Sequence, residues 1–272
     1  MIAVTGVTGE VGGRVAGHLA ERGLEQLLVV RDASRAPEFE RAEVREASRG
    51  YEDLEGMRRA FDGAETVFLV PAAEAENRIE QHQTAVDAAV AAGAQRIVLL
   101  SFVGASADHT FTLGRHHWAT EEHVRATGLP CTFLRMNLFM DFVPMMAGED
   151  GVIRGPAGDG RIAAILREDV AAACAAVLAS DDDHDGKTYG LTGVEAFTLA
   201  EAADALGVRF ETETVEEAYA SRAHLGAPDW MVEGWVTSYL AIAAGELEAV
   251  THDVETLTGQ PPATLEQFLR RL

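Results

Sequence analysis

A single lysine, Lys187, serves the whole of this 272-residue chain, and its position settles one chemical question at once. A Tyr-x-x-x-Lys pair lets the lysine lower the tyrosine pKa so that the phenol protonates a carbonyl as hydride arrives. Four residues after Tyr51, Tyr189, Tyr219 and Tyr239 stand Glu55, Gly193, Ala223 and Ala243, so alcohol dehydrogenation by that pair does not fit this chain. Positive charge is scarce throughout. Against 44 acidic side chains there are 22 basic ones, and the formal charge of -22 repels nucleic-acid phosphates and anionic lipid, which sets both aside as partners. Cysteine is rare too: Cys131 (in LPCTF) and Cys174 (in AAACAAV) lack metal-ligand spacing and read as buried free thiols, so no metal is expected. No apolar run reaches the roughly 20 residues that span a bilayer. MIAVTG leads into a strand rather than a signal peptide, and a cytoplasmic location is expected.

What the chain has is a regular alternation of short apolar runs with amphipathic stretches, and 47% hydrophobic residues to build a core. Strands are expected at Ile2–Thr5, Leu27–Arg31, Glu43–Ala47, Thr66–Val70, Arg96–Ser101 and Thr132–Arg135. Helices with apolar residues at i, i+3, i+4 are expected at Val11–Arg22, Leu54–Phe61, Ile79–Ala92 and His117–Thr127. Gly23, Gly63, Gly93 and Gly128 follow those helices where a left-handed cap favours glycine. The fold class that results is α/β, a Rossmann-type doubly wound parallel sheet with a smaller, mostly helical C-terminal lobe. Residues 1–150 are expected to form the dinucleotide-binding domain, and 151–272 the remaining sheet edge and the substrate lobe, as one structural unit. In that second part a helix is expected at Arg167–Ala179 and a strand at Lys187–Leu191. Further helices are expected at Leu199–Leu206, Val215–Arg222, Asp229–Ala244 and Leu265–Leu272. SDDDHDG (180–186) reads as a solvated acidic turn, since it lacks the spacing of a calcium loop.

The run IAVTGVTGEVGGRV places Gly6, Gly9 and Gly12 between the first strand and the first helix. Glycine there permits a tight turn, close approach of the backbone to a pyrophosphate and close helix-to-strand packing, while the helix N-terminus offers free N–H groups. The turn Gly6, Thr8, Gly9, Glu10, Val11 and Gly12 is therefore the expected dinucleotide cradle. An NAD-preferring site places an acidic residue at the end of the second strand to hold the ribose hydroxyls. This chain has Arg31 there, with Arg14 and Arg35 nearby, and a guanidinium pairs well with a 2′-phosphate. NADP is the expected cofactor, NAD remains open, and no flavin is expected. The alternative is that Arg31 stacks on the adenine while Asp32 takes the ribose.

The opening VTGVTGEVGGRV, the block NRIEQHQTAVDAAVAAGAQRIVLLS (77–101), the HxxTE of His117, Thr120 and Glu121, and FLRMNLFMD (133–141) together resemble the NmrA-like atypical short-chain dehydrogenases. So do GVIRGPAGDGRIAAILREDVAAACAAVL (151–178) and GKTYGLTG (186–193), and the likeness, which covers nearly the whole chain, falls nearest the quinone-reducing group. The resemblance implies that Val70, Pro71, Ala72, Ser101, Phe102 and Asn137 surround the nicotinamide and its ribose, and that Gln81 and His82 lie close by. It implies a flat apolar slot for an aromatic substrate from Phe102, Trp118, Phe139, Met140 and Phe142, with helix core as the alternative for Phe139 and Phe142. His117 falls in the region of the family's tyrosine, which implies a donor to a quinone oxygen; a packing role is the alternative. Asp169 reads as a helix-start residue. Ser48–Arg49 departs from the family, which has an aspartate at the end of the third strand.

Direct two-electron reduction of a quinone fits these features, because the reduced ring is an aromatic anion that needs little proton assistance at the moment of transfer. A tailoring enzyme giving net hydroxylation of a polycyclic aromatic through the same first step is a variant. A non-catalytic redox sensor whose dinucleotide occupancy tunes a protein contact is a different class, and a reductase or isomerase of activated C=C bonds is another. The sequence leaves the substrate and any oligomeric state open.

Overall fold

A computed structural model describes residues 1–272. In chain order the central elements are β1 (Ile2–Thr5), α1 (Glu10–Glu21), β2 (Gln26–Val30), β3 (Ala42–Glu46), α2 (Leu54–Ala60), β4 (Thr66–Leu69), α3 (Arg78–Ala91), β5 (Arg96–Phe102), α4 (Thr112–Ala126) and β6 (Cys131–Met136). They are followed by β7 (Val152–Gly155), β8 (Arg161–Ile162), α5 (Arg167–Ala179), β9 (Thr188–Leu191), β10 (Phe197–Thr198), α6 (Leu199–Leu206) and β11 (Arg209–Thr212). The chain ends with α7 (Val215–Arg222), α8 (Asp229–Ala243), α9 (Asp253–Thr258) and α10 (Leu265–Leu269).

Seven strands form one parallel sheet in the order β3-β2-β1-β4-β5-β6-β9. The chain winds outward from β1 to β3, crosses back, and continues outward from β4. Strand order thus reverses between β1 and β4, the place where doubly wound sheets open a crevice at their carboxyl ends. The register sets Ala3 beside Leu27 on one side and Val67 on the other. β2 is buried at every position, as expected of a strand covered on both faces.

Contacts divide the chain into two compact units. One comprises residues 1–101, 117–135 and 170–189; the other comprises 102–116, 136–169 and 190–272. Both expected segments, 1–150 and 151–272, therefore contribute to each unit. The first has its core in Ala3, Leu27, Met57, Phe61, Val67, Val86, Ile97 and Phe133. The second buries Phe102, Phe111, Met140, Ile162, Leu166, Phe197, Ile242 and Phe268.

The structure adds elements that lack a sequence signal. The second unit is not only helical: β7 pairs in parallel with β11, and β8 pairs antiparallel with β10, each a strand of two to four residues. α9 is one short turn of helix. α4 begins at Thr112 rather than His117. A glycine, Gly114, sits in its first turn because the ring of His109 fills that space: a β-carbon at 114 would lie 2.6 Å from His109 Cγ. Capping boxes fix the starts of α6 (Thr198, Glu201), α7 (Thr214, Glu217) and α10 (Thr264, Gln267).

Candidate dinucleotide site

The first unit has a cleft of about 510 Å³ at the carboxyl ends of β1, β2 and β4. Thr5, Gly6 and Thr8 form one side; Val30, Arg31, Ser48, Arg49 and Gly50 line another; Val70 to Ala75 and Gln81 close it. Gly6 has φ +65°, in the region glycine favours, and the Gly9 N–H donates to its carbonyl at 2.9 Å. A β-carbon on Gly12 would meet the Gly6 carbonyl and lie 2.7 Å from Thr5 O, so only glycine lets α1 approach β1 this closely. Gly9 is the N-cap of α1 and supplies no side-chain cap, which leaves the helix N–H groups for a ligand. Arg14, by contrast, is bound to Glu10 at 2.5 Å.

Arg31 and Arg49 are exposed at the cleft rim, and neither forms an ion pair. Arg31 lies against Gly50, whose φ is +58°. Asp32, the candidate ribose partner, turns its carboxylate to the Ser34 N–H and hydroxyl at 3.0 and 2.7 Å. The Ser34 hydroxyl and backbone, helped by Arg35, hold that carboxyl below its usual range. Glu46 is likewise engaged, accepting from the Ala33 N–H at 3.0 Å. Arg35 ends the short 3-10 turn Ala33–Arg35 and does not line the cleft.

The cleft floor is tied by Tyr51, a residue without a functional signal in the sequence. Its hydroxyl stands 2.6 Å from Thr5 Oγ1 and 2.7 Å from the Val70 carbonyl, while the Val70 N–H donates to Thr5 Oγ1 at 2.9 Å. These contacts join β1 to β4 across the strand reversal, and burial raises the pKa of the phenol.

Behind the wall formed by Val70, Pro71 and Ala72, the buried face of α4 explains HxxTE. The Ala72 N–H donates to His82 Nε2 at 2.9 Å, so His82 carries its proton on Nδ1, 2.8 Å from Thr120 Oγ1. Arg78 Nε donates to the Ala72 carbonyl at 3.0 Å, and its Nη2 faces His117 Nε2 at 3.4 Å. His117 is 3% exposed, with that ring nitrogen turned to the guanidinium as an acceptor. Glu121 is fully buried; it accepts from Ser101 Oγ at 2.6 Å and pairs with Arg135 and Arg125 at 2.7 and 2.9 Å. Two guanidiniums and a hydroxyl thus compensate one buried carboxylate. Trp118 lies under the Arg125 guanidinium at 5.5 Å.

In the second unit Phe102 is buried and packs edge-on against Phe111 at 5.3 Å. Both ends of the Asn137 amide bind the chain itself: Nδ2 donates to the Leu247 carbonyl at 3.0 Å, and Oδ1 accepts from the Leu138 N–H at 2.8 Å. Met140 is 1% exposed and belongs to the core. Phe139 and Phe142 stand 6.1 Å apart under Arg167, whose guanidinium lies 4.9 and 4.3 Å from their rings. Asp169 stands in the first turn of α5 and accepts from the Ala263 N–H at 3.0 Å. Cys174 is buried and Cys131 half-buried, both are free, and burial raises both thiol pKa values. No group of three or more His, Cys, Asp and Glu side chains is placed to hold a metal ion. No helix is long and apolar enough to cross a membrane.

A glycine cradle at a strand reversal, beneath open helix N–H groups, is the architecture of a dinucleotide-binding Rossmann protein. The chain belongs to the NAD(P)H-binding family, whose model matches residues 6–181. It is similar to quinone oxidoreductase 2 of Escherichia coli (strain K12), with 30% identity over 100% of this chain and 98% of that protein. The crystal structure of that enzyme with NADPH superposes with a TM-score of 0.90 and 29% identity, covering 100% and 99% of the two chains. A second relative is the (4-alkanoyl-5-oxo-2,5-dihydrofuran-3-yl)methyl phosphate reductase of Streptomyces griseus, 33% identical over 96% of this chain and 94% of that one. NmrA, a negative transcriptional regulator solved with NAD, shares the fold at TM-score 0.76 and 16% identity, covering 100% of this chain and 94% of NmrA. The protein is an NAD(P)H-dependent reductase by family.

Proposed function

We propose that this protein is an NADPH-dependent reductase of a quinone or a comparable conjugated, electron-poor aromatic. The observation that carries the reading is the cleft itself, a glycine cradle whose rim holds two unpaired arginines in a chain of charge -22. Gly6, Gly9 and Gly12 let the turn fold tightly enough to cradle a pyrophosphate, since β-carbons there would press on Val70, the Gly6 carbonyl and Thr5 O and push α1 away from β1. Arg31 and Arg49 hold the 2′-phosphate, while Asp32 is occupied by Ser34 and does not compete for it. When bound, the cofactor supplies a hydride equivalent.

The remaining work belongs to the chain. Val70, Pro71 and Ala72 orient the ring end of the cofactor, with Ala72 pinned by His82 and Arg78, and Ser101 stands in the same unit near the end of β5. The Asn137 amide is engaged by the Leu247 carbonyl and the Leu138 N–H and is not offered to a ligand. Phe139 and Phe142 offer aromatic surface to a flat acceptor, Phe142 being 43% exposed. Phe102 and Met140 belong to the buried core of the same unit, while Trp118 packs under Arg125 in the first unit. His117 is a positioning residue that acts through Arg78.

A quinone tolerates the missing Tyr-x-x-x-Lys pair, because its reduced form is a resonance-stabilised anion that water protonates afterwards. The Streptomyces relative supports the same chemistry: its name describes a ring C=C flanked by two carbonyl groups, another acceptor whose reduction gives a delocalised anion. A quinone panel run with NADPH and with NADH, anaerobically and in air, with product masses, tests the proposal. NADPH oxidation with unchanged carbon and oxygen counts supports reduction; a product that gains oxygen selects the tailoring reaction. Tight NADPH binding with no turnover on any acceptor leaves the sensor.

A further inference from the structure

Arg78 is a buried cation without an ion pair in a protein rich in carboxylates. Its side chain is 4% exposed, yet no carboxylate oxygen lies within ion-pairing distance. Its Nε holds the Ala72 carbonyl, Nη2 faces His117, and Nη1 is buried without a hydrogen-bond partner. Burial brings the guanidinium down to about 10, with Glu74 working in the other direction, so it stays charged at neutral pH. A buried cation is costly without a counter-charge. The chain has 44 acidic side chains, and none of them, Glu74 included, stands within ion-pairing distance of the guanidinium.

We propose that Arg78 is a positioning residue for the cofactor. It fixes the Ala72 wall through a main-chain carbonyl and leaves its charge without an ion pair so that the pyrophosphate of a bound dinucleotide supplies the missing negative field. The inference rests on the reading that Val70, Pro71 and Ala72 meet the nicotinamide half of NADPH. His82 completes the device from the same helix, since the two side chains hold both polar backbone groups of one residue, Ala72. His117 completes it from α4: accepting from Nη2 keeps its Nε2 unprotonated, which avoids a second positive charge facing the first.

The test compares NADPH with adenosine 2′,5′-bisphosphate, which carries the adenine half alone, in wild type, Arg78→Gln and Arg78→Lys, with melting temperatures and kcat. Arg78→Gln is expected to lose about tenfold in NADPH affinity, the scale of one charge-assisted contact, while binding the bisphosphate as wild type does. Arg78→Lys, which keeps the charge and loses the fork, falls between the two. His117→Phe removes the acceptor of Nη2 and gives the same split at smaller size; it serves if Arg78→Gln does not fold. Equal losses for both ligands, an unchanged NADPH affinity in Arg78→Gln, or Arg78→Lys no better than Arg78→Gln overturns the proposal. A folded wild type that binds neither ligand overturns the cofactor reading along with it.

Discussion

Arg31 lies flush against Gly50: a β-carbon on residue 50 would stand 3.1 Å from Arg31 Cδ and 3.3 Å from its Cγ. Gly50 follows β3 and has φ +58°, so the absence of a side chain serves both the backbone turn and the arginine stem. Arg49, immediately before it, stands on the same rim. The substitution that departs from the family pattern, Ser48–Arg49, thereby adds a second cation where an aspartate would add an anion.

Cofactor choice follows from that rim. If Arg31 holds the 2′-phosphate as proposed, replacing it with alanine removes one charge-assisted contact, a loss of about 1.5–3 kcal/mol. NADPH affinity is expected to fall about ten- to a hundredfold, while NADH affinity hardly moves. Arg49→Ala shifts the ratio in the same direction by less, since its stem has no partner comparable to Gly50. Michaelis constants for both cofactors measure the effect; equal losses for NADPH and NADH would show that the arginines do not read the 2′ position.

Gly12 makes a harder demand on the fold. An alanine there puts its methyl group into the Gly6 carbonyl and within 2.7 Å of Thr5 O, and backbone atoms cannot rotate aside as a side chain does. Gly12→Ala is expected to cost about 1–3 kcal/mol of stability through overpacking, and to weaken dinucleotide binding by moving α1 off β1. Chemical denaturation and a fluorescence titration with NADPH check the two parts separately.

The glycine turn and the place of Arg31 just past β2 are legible because glycine and arginine carry positional meaning in a strand–turn–helix unit, whereas the rim positions of Arg49 and Gly50 are not. Legible too are the interior strands of the seven-stranded sheet, such as β2, β4 and β5, which are apolar runs between glycine-capped helices. β8 and β10 escaped notice because two-residue strands have no period to read. Asn137 shows a different limit: the sequence places an amide at a strand end, yet the choice between ligand and main chain is made by Leu247, 110 residues away. Tyr51 and Arg78 escaped for the same reason, since their partners Thr5, Val70 and Ala72 are main-chain or small polar groups with no pattern of their own.

His109 sets an acid limit on stability. Its ring is 2% exposed, Nδ1 accepts from the Phe111 N–H at 3.0 Å and lies 3.1 Å from Glu246, and Nε2 has no partner. Burial lowers its pKa, opposed by Glu246, the Val103 backbone and Asp108 and reinforced by Arg115. In the unfolded chain the imidazole takes up its proton near pH 6.5, whereas the folded form resists until lower pH. The unfolded state therefore binds more protons in that window, so stability is full above about pH 6.5 and is lost as the pH falls from there toward the folded value. Unfolding free energies from pH 5 to 8 (roughly the window set by an imidazole) should show this slope in wild type and a flatter one in His109→Asn.

Tyr51→Phe isolates the tie across the strand reversal. The ring and its packing remain, but the Val70 carbonyl loses a hydroxyl at 2.7 Å, and Thr5 Oγ1 keeps only its bonds to the Phe68 carbonyl and the Val70 N–H. Leaving a part-buried carbonyl unsatisfied costs about 1–3 kcal/mol. Because that carbonyl belongs to the cleft wall, the variant is expected to lose cofactor affinity beyond what its lowered stability accounts for. Val70 also adjoins Gly6, whose added β-carbon would stand 3.0 Å from Val70 Cβ, so a shift at residue 70 reaches the glycine turn directly. Measuring NADPH binding well below the melting temperature separates the two effects. An affinity equal to wild type in a destabilised variant would confine Tyr51 to folding and leave the wall to His82 and Arg78.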